Sequence, residues 1–283
     1  MKAVLAIGGV MMIATTLSAQ HVRTLESSRL LRDSTPLSVK LLLGTGTLSV
    51  GASDAPYLYR SITRFGDSFT PPTTSWNASQ HTLTLTAGQK QNGPSPRADD
   101  APDDDGVQDW RVQLTRHAPL ELMIDATAAD ATLDLTGLPL RRFALNTGAA
   151  AATVRFDAPN PESMSVFDAN IGAGGLKLIG LGNAGASEAR IQGDFGDLSL
   201  DLGGRWVRDM QIVVSSSIGG VKITAPPTIG IELQSTGLLA RESFDGSFTK
   251  SGGIWRSSNF STAAVKVRIV VRSMLGKIEL VQR

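Results

Sequence analysis

The residues whose spacing most suggests chemistry are GLGNAG, Gly180 to Gly185. G-x-G-x-x-G is the pattern with which Rossmann domains lay backbone amides against a dinucleotide pyrophosphate. The run Leu176-Lys177-Leu178-Ile179 precedes it like a strand, and Asp201 stands about where such domains bind a ribose. That cradle also needs a helix opening at the last glycine, so that its first amides meet the phosphates. The next residues are ASEARIQGDFGDLSLDL, in which two more glycines and a new apolar–polar alternation occupy the space of a helix. The glycines are read instead as a corner between strands.

Other reactive residue types are scattered. His21, His81 and His117 lie far apart and lack metal-ligand spacing, and no cysteine is present for thiol chemistry or lipidation. Neither a G-x-S-x-G elbow nor a P-loop occurs. Asp99, Asp100, Asp103, Asp104 and Asp105 would attract calcium only in an ordered D-x-D-x-D-G arrangement, which they lack, so they are read as a solvated loop. Asn77-Ala-Ser79 matches a glycosylation sequon, a pattern common by chance. Asp157, Asp194, Asp197 and Asp201 fall near corners, where aspartate usually serves turns, although a polysaccharide lyase or hydrolase would need carboxylates there. Trp76, Trp110, Trp206 and Trp255 suit either sugar stacking or plugging the ends of a core. No catalytic, cofactor-binding or metal residue is assigned, and no cofactor is expected.

The elements that must position these residues are strands. Helical periodicity is scarce, and Val, Ile, Thr and Leu alternate with polar residues. The tetrads at 132–135, 153–156, 175–178, 197–200 and 220–223 share one form: a small or polar residue, then apolar, polar, apolar. Their first apolar positions, 133, 154, 176, 198 and 221, are offset by 21, 22, 22 and 23 residues. Outlying copies stand at 47–50 and 277–280, with a degenerate one around Ile231 to Leu239. Short alternating strands precede most tetrads, as at Leu41/Leu43, Leu122/Ile124, Ile212/Val214 and Val267/Ile269/Val271, across turns of small residues.

A two-strand unit of this size cannot bury its apolar face alone, so the spacing predicts an all-β stack of rungs of about 22 residues sharing one core, a β-solenoid. An antiparallel β-sandwich is the alternative. Leu133, Leu135, Val154, Phe156, Leu176, Leu178, Leu198, Leu200, Val221 and Ile223 would point inward. Asp134, Arg155, Lys177, Ser199 and Lys222 would form an outward ladder, with Arg155 beside Asp134. Tyr57–Phe65 and His81–Thr86 read as a hairpin over the first rung.

At the N-terminus, Lys2, an apolar run from Ala3 to Leu17, and Ser18-Ala19-Gln20 form the layout of a signal peptide cleaved after Ala19. The expected domains are the signal at 1–19, an N-terminal extension at 20–119 with a Pro/Asp-rich mobile loop at 91–106, and a β-repeat domain at 120–283 sharing its core with 38–51. Without Lys2 the 27 basic residues fall to 26, matching the 26 acidic ones. That balance gives no electrostatic reason to expect nucleic acid or an anionic membrane as a partner.

The segments SVKLLLGTGTLSVG (38–51), LDLTGLPLRRFALNTGAAAATVRFDAPN (133–160), NIGAGGLKLIGLGNAG (170–185), VVSSSIGGVKITAP (213–226) and VKVRIVVRSMLGKIEL (265–280) resemble the bacterial toast-rack β-repeat domains. These include the C-terminal domain of LiaF-type cell-wall-active antibiotic response proteins and adhesin-like domains. LYRSITRF, the Pro-containing linker after it and DWRVQL are similar to the family's N-terminal extension. LiaF-type regulators carry several transmembrane helices ahead of this domain; this sequence carries one leader-like segment in their place. The resemblance implies a non-enzymatic envelope protein acting through interactions, as an adhesion, scaffold or envelope-stress module. The expected partner is a protein or cell-envelope polysaccharide, in the periplasm or outside the cell, with no membrane span after signal cleavage and the oligomeric state left open. A carbohydrate-active enzyme on the same solenoid is the alternative.

Overall fold

The computed structural model describes residues 22–90 and 108–283. The expected signal peptide, His21 and the acidic loop at 91–106 lie outside the described residues. Alternating β-branched and polar residues produce strands in chain order: β1 (Arg23–Leu30), β2 (Leu37–Ser53), β3 (Tyr57–Phe65), β4 (Thr73–Asn77), β5 (Thr82–Ala87), β6 (Gln108–Thr115), β7 (Leu120–Asp134), β8 (Leu140–Thr147), β9 (Ala152–Arg155) and β10 (Met164–Ala173). The chain continues through β11 (Leu176–Ile179), β12 (Ala186–Phe195), β13 (Leu198–Asp201), β14 (Met210–Ile218), β15 (Val221–Ala225), β16 (Gly230–Phe244), β17 (Phe248–Ser251), β18 (Ile254–Ser257) and β19 (Lys266–Gln282).

The strands stack as two parallel ladders that face each other across the core. The first runs β5, β2, β7, β8, β10, β12, β14, β19, β16. The second runs β6, β2, β7, β9, β11, β13, β15, β19, β16. Strands β2, β7, β16 and β19 pass through the turn and serve both ladders. Antiparallel pairing occurs at the ends, where β4 covers β5, β3 and β1 extend β6, and β18 and β17 cover β16. The result is an all-β, solenoid-like stack rather than the antiparallel sandwich.

Every residue of the expected inward set is at least 98% buried, in one apolar cluster that extends from Leu37 to Leu280. Burying each such side chain is worth about 1.5–3 kcal/mol, which no single rung could collect alone. Phe167 sits between Phe143 and Phe156, with ring centroids 5.1 and 6.3 Å away.

At the turn joining the ladders the rungs approach closely enough to demand glycine. Gly196 (φ +128°) lies over Gly174, and Gly219 (φ +144°) over Gly196; a Cβ on either would meet the carbonyl oxygen beneath it at 1.9 Å. No side chain can occupy that column.

Two expectations are corrected, the repeat offsets and the N-terminal hairpin. The register pairs Ala131 with Ala152, Ala152 with Leu176, Leu176 with Leu198 and Leu198 with Val221, so the true offsets are 21, 24, 22 and 23. The two extra residues lie in the Pro-containing corner around Asp157–Ser163; an even slip keeps inward residues inward, so the core set survives. Tyr57–Phe65 and the strand after His81 form no common hairpin, because β3 belongs to the second ladder's end and β5 to the first. Asp134 and Arg155 are register partners as expected, but the Arg155 guanidinium turns to Asp157 at 3.5 Å. The closing strand β19 inserts between β14/β15 and β16, so the degenerate copy around Ile231 lies outside it.

Candidate functional site

GLGNAG forms a corner whose polar groups are spent on neighbouring rungs. Leu181–Ala184 make one 3-10 turn, flanked by Gly180 and Gly185 in the left-handed region at φ 73° and 62°. The Gly180 amide donates to Asp201 Oδ2 (3.2 Å) and the Gly182 amide to the Gly203 carbonyl (2.9 Å). Asn183 is buried; its Nδ2 donates to the Phe156 carbonyl at 2.9 Å, and its Oδ1 accepts from the Arg205 amide at 2.8 Å. One corner earlier, Asn160 bonds the Leu140 backbone at both its amide and its carbonyl. The amides that would hold a phosphate are therefore turned inward, and the supposed ribose acid is a turn residue.

The other candidates are likewise structural. Asp201 Oδ1 also accepts from Gly203 N at 3.0 Å, and Asp197 Oδ1 from Gly220 N at 2.7 Å. Asp157 pairs with Arg155, and Asp194 receives Gln192 Nε2 at 3.5 Å. These carboxylates lie at different corners and turns and face no shared cleft. Trp110, 1% exposed, closes the N-terminal end of the core and donates to Ser61 Oγ at 2.7 Å. Trp206 donates to the Leu202 carbonyl, and Trp255 packs edge-on against Phe244 at the C-terminal cap. Trp76 lies under Arg29 and beside His81, the one described non-glycine residue with positive φ. His117 is exposed on another part of the chain, and among the described residues no three His, Asp or Glu side chains come together as metal ligands. Asn77 holds its own turn, accepting from the Ser79 and Gln80 amides.

What stacking does assemble is a polar row on the outer face of the first ladder. Asn146, Asn170, Gln192 and Ser215 are successive register partners on β8, β10, β12 and β14, with Asp125 of β7 at one end and Arg272 of β19 at the other. Neighbours in such a row stand about 4.8 Å apart. Beside it runs Asp168, Arg190 and Val213, and the two rows line a shallow trough of about 420 Å³. Asn146 Nδ2 donates to Asp125 Oδ1 at 2.6 Å. Glu188 clamps Arg190 through Nε–Oε1 (2.7 Å) and Nη2–Oε2 (2.9 Å). That bidentate hydrogen bond, then the carboxylate charge, holds the guanidinium above its ordinary pKa; the clamp also fixes its plane. The trough thus offers amide, carboxylate, hydroxyl and guanidinium groups at a regular interval, a pattern suited to a chain of repeated hydroxyls or amides. Sequence reasoning missed it because each of these residues is an ordinary outward polar position; only the register, once known, brings them together.

Residues 18–179 match the family model for the N-terminal domain of toast_rack, DUF2154. The chain belongs to the toast-rack family. The match covers the N-terminal extension and the rungs through β11, in agreement with the resemblance carried by the glycine turns. Among solved structures, this toast-rack protein is similar to a candidate cell adhesion protein from Clostridium sporogenes, at 12% identity and TM-score 0.44, with 92% of this chain and 100% of that chain covered. It is also similar to a candidate adhesin from Bacteroides fragilis (9% identity, TM-score 0.43, coverage 93% and 98%). A third, from Parabacteroides distasonis, gives 13% identity, TM-score 0.38 and coverage 91% and 97%. No curated protein matches the sequence. Among the described residues no helix is long and apolar enough to cross a membrane.

Proposed function

We propose that this toast-rack protein is an exported, non-enzymatic adhesin-like module of the cell envelope, and that it binds cell-envelope polysaccharide along the trough of the first ladder. On this reading the leader at 1–19 is removed, the segment 20–119 closes the N-terminal end, and 120–283 forms a true β-solenoid that presents the binding face. One observation carries the proposal: Asn146, Asn170, Gln192 and Ser215 repeat hydrogen-bonding groups rung by rung beside the clamped Arg190. A glycan chain laid across the strands would meet a new polar group at about every 4.8 Å. The family membership supports an interaction role, and the carboxylates at the corners are engaged by backbone amides or neighbouring side chains.

The test is co-sedimentation of the protein with insoluble envelope polysaccharide. Wild type should pellet with the glycan, and the outward-facing variant Asn170→Ala/Arg190→Ala/Gln192→Ala should lose about tenfold or more in affinity while keeping its melting temperature. Binding unchanged in the variant, or release of soluble sugar during incubation, would count against the proposal.

A further inference from the structure

The polar row of the first-ladder trough carries a second, longer repeat that narrows what can lie along it. Asn146, Asn170 and Gln192 recur rung by rung, about 4.8 Å apart, but their amides are not equally free. Asn146 Nδ2 donates to Asp125 Oδ1 at 2.6 Å, and Gln192 Nε2 donates to Asp194 Oδ1 at 3.5 Å. Their oxygens, Asn146 Oδ1 and Gln192 Oε1, accept nothing from the described residues. Between them the Asn170 amide, and beyond Gln192 the Ser215 hydroxyl, have no partner among those residues. The three amide side chains are exposed. A rung with an unengaged acceptor thus alternates with a rung holding a free donor: Asn146 Oδ1 then Asn170 Nδ2, Gln192 Oε1 then Ser215 Oγ–H. The free acceptors stand two rungs apart, about 9.6 Å.

That alternation matches an extended glycan joined through equatorial bonds. Each sugar of such a chain advances by about one strand spacing and is turned over relative to the last, so one edge shows the same substituent at every second sugar. A glycan with axial bonds coils and leaves a straight row. The substituent facing Asn146 and Gln192 must supply a hydrogen, and the next rung must meet an acceptor. A hydroxyl donates and accepts at one atom, whereas an acetamido group does so at opposite ends and bridges the two rungs. Charge favours an uncharged partner. The carboxylates Asp125, Asp168, Glu188 and Asp194 are interleaved with the guanidiniums of Arg142, Arg190 and Arg272. A polyanion would lie against Asp125 and Asp168, and a polycation against Arg142, Arg190 and Arg272.

We propose that the trough binds an uncharged, N-acetylated glycan with equatorial links, laid along the stack at one sugar per rung. Acetamido groups of alternate sugars donate to Asn146 Oδ1 and Gln192 Oε1 and accept from Asn170 Nδ2 and Ser215 Oγ–H. None of the side chains lining the trough is aromatic, so these edge groups, and not a stacked sugar face, carry the recognition. The inference rests on the glycan-binding reading and goes further by naming the class of sugar and the shortest chain that spans the site. A trisaccharide is the shortest that reaches both free oxygens.

Calorimetric titration of the full chain with the N-acetylglucosamine oligomers of chitin tests it. Hexamers of glucose, glucosamine and glucuronic acid with the same linkage serve for comparison. The N-acetylated hexamer should bind about tenfold or more tightly than the other three, and affinity should step up about tenfold between its dimer and its trimer. Asn146→Ala/Gln192→Ala should bring the N-acetylated hexamer down to the level of the glucose hexamer while keeping the wild-type melting temperature. Ser199→Ala/Lys222→Ala, on the outward face of the second ladder, should leave every affinity unchanged. Equal affinity for the N-acetylated and glucose hexamers, tighter binding of either charged hexamer, no step between dimer and trimer, or no binding of the N-acetylated hexamer would overturn the inference. Co-sedimentation with envelope polysaccharide that still depends on Asn170, Arg190 and Gln192 would in that case leave the glycan-binding reading standing, which tells the two failures apart.

Discussion

Replacing Gly196 by alanine would place a methyl carbon 1.9 Å from the Gly174 carbonyl oxygen and 2.6 Å from its carbonyl carbon. Both are backbone atoms, so no side chain can swing aside. The φ of +128° adds strain of its own, about 1–3 kcal/mol for a non-glycine residue in so sparsely populated a region. Forcing the two rungs apart adds an overpacking cost of about 1–3 kcal/mol. It also stretches the bonds from Gly174 N to the Phe195 carbonyl (2.7 Å) and from Gly196 N to the Ile218 carbonyl (2.9 Å). The sum is about 2–6 kcal/mol, which at about 2–4 °C per kcal/mol in a chain of this size lowers the melting point by about 4–24 °C. Gly51→Ala is the matched control. A Cβ at Gly51 meets nothing within 4 Å, so the substitution should be neutral or stabilising by up to about 1 kcal/mol. Thermal unfolding followed by circular dichroism compares the pair. A Gly196→Ala protein that melts within about 2 °C of wild type would refute the close approach of rungs at this edge.

Gly182→Ala should cost about 2–4 kcal/mol, since its Cβ would sit 2.4 Å from Trp206 Nε1 and 2.8 Å from the Gly203 carbonyl oxygen. Calorimetric titration of wild type with NAD or ATP should show no heat of binding at that corner, and saturable binding would restore the phosphate-cradle reading. Burial pushes the Asp245 carboxyl up, but hydrogen bonds from Ser247 and from the Gln282 amide (2.5 Å) prevail and hold its pKa below the usual range. A depressed carboxylate stabilises the fold above its unfolded pKa and stops doing so as pH falls through the folded value. The melting point should therefore drop in wild type below about pH 4. Asp245→Asn should lower stability by about 1–2 kcal/mol at neutral pH and show a smaller drop in acid; equal acid profiles for the two proteins would contradict this role for Asp245.

Much of the architecture is legible in the sequence because strand alternation has a period of two. Leu176 and Val154 both read as inward although the stack is shifted by two residues between them, since a two-residue slip leaves each side chain on its own face. The size of the slip is hidden because it arises in the corner containing Pro159 and Pro161, where sequence marks a turn but not how far the chain travels. The place of β19 is hidden for a different reason. Ladder order is a long-range property, and Lys277–Leu280 matches the repeat equally well whether it caps the stack or lies inside it. The polar trough shares that origin. Asn146, Asn170 and Gln192 lie 24 and 22 residues apart, so only register makes the set a surface. Glycine, in contrast, declares itself early as turn chemistry. Alternation and spacing do not reveal that the glycines at 174, 196 and 219 are required by contact between rungs as well as by turning.

The claim that the first-ladder trough is the binding surface is tested most directly by residue-resolved NMR titration with soluble fragments of envelope polysaccharide. The side-chain amide resonances of Asn146, Asn170 and Gln192 and the Arg190 Nε–H should shift together and saturate at one concentration. Outward residues of the second ladder, such as Lys177, Ser199 and Lys222, should stay unmoved. Shifts confined to the second ladder, or none at all at saturating glycan, would contradict the account.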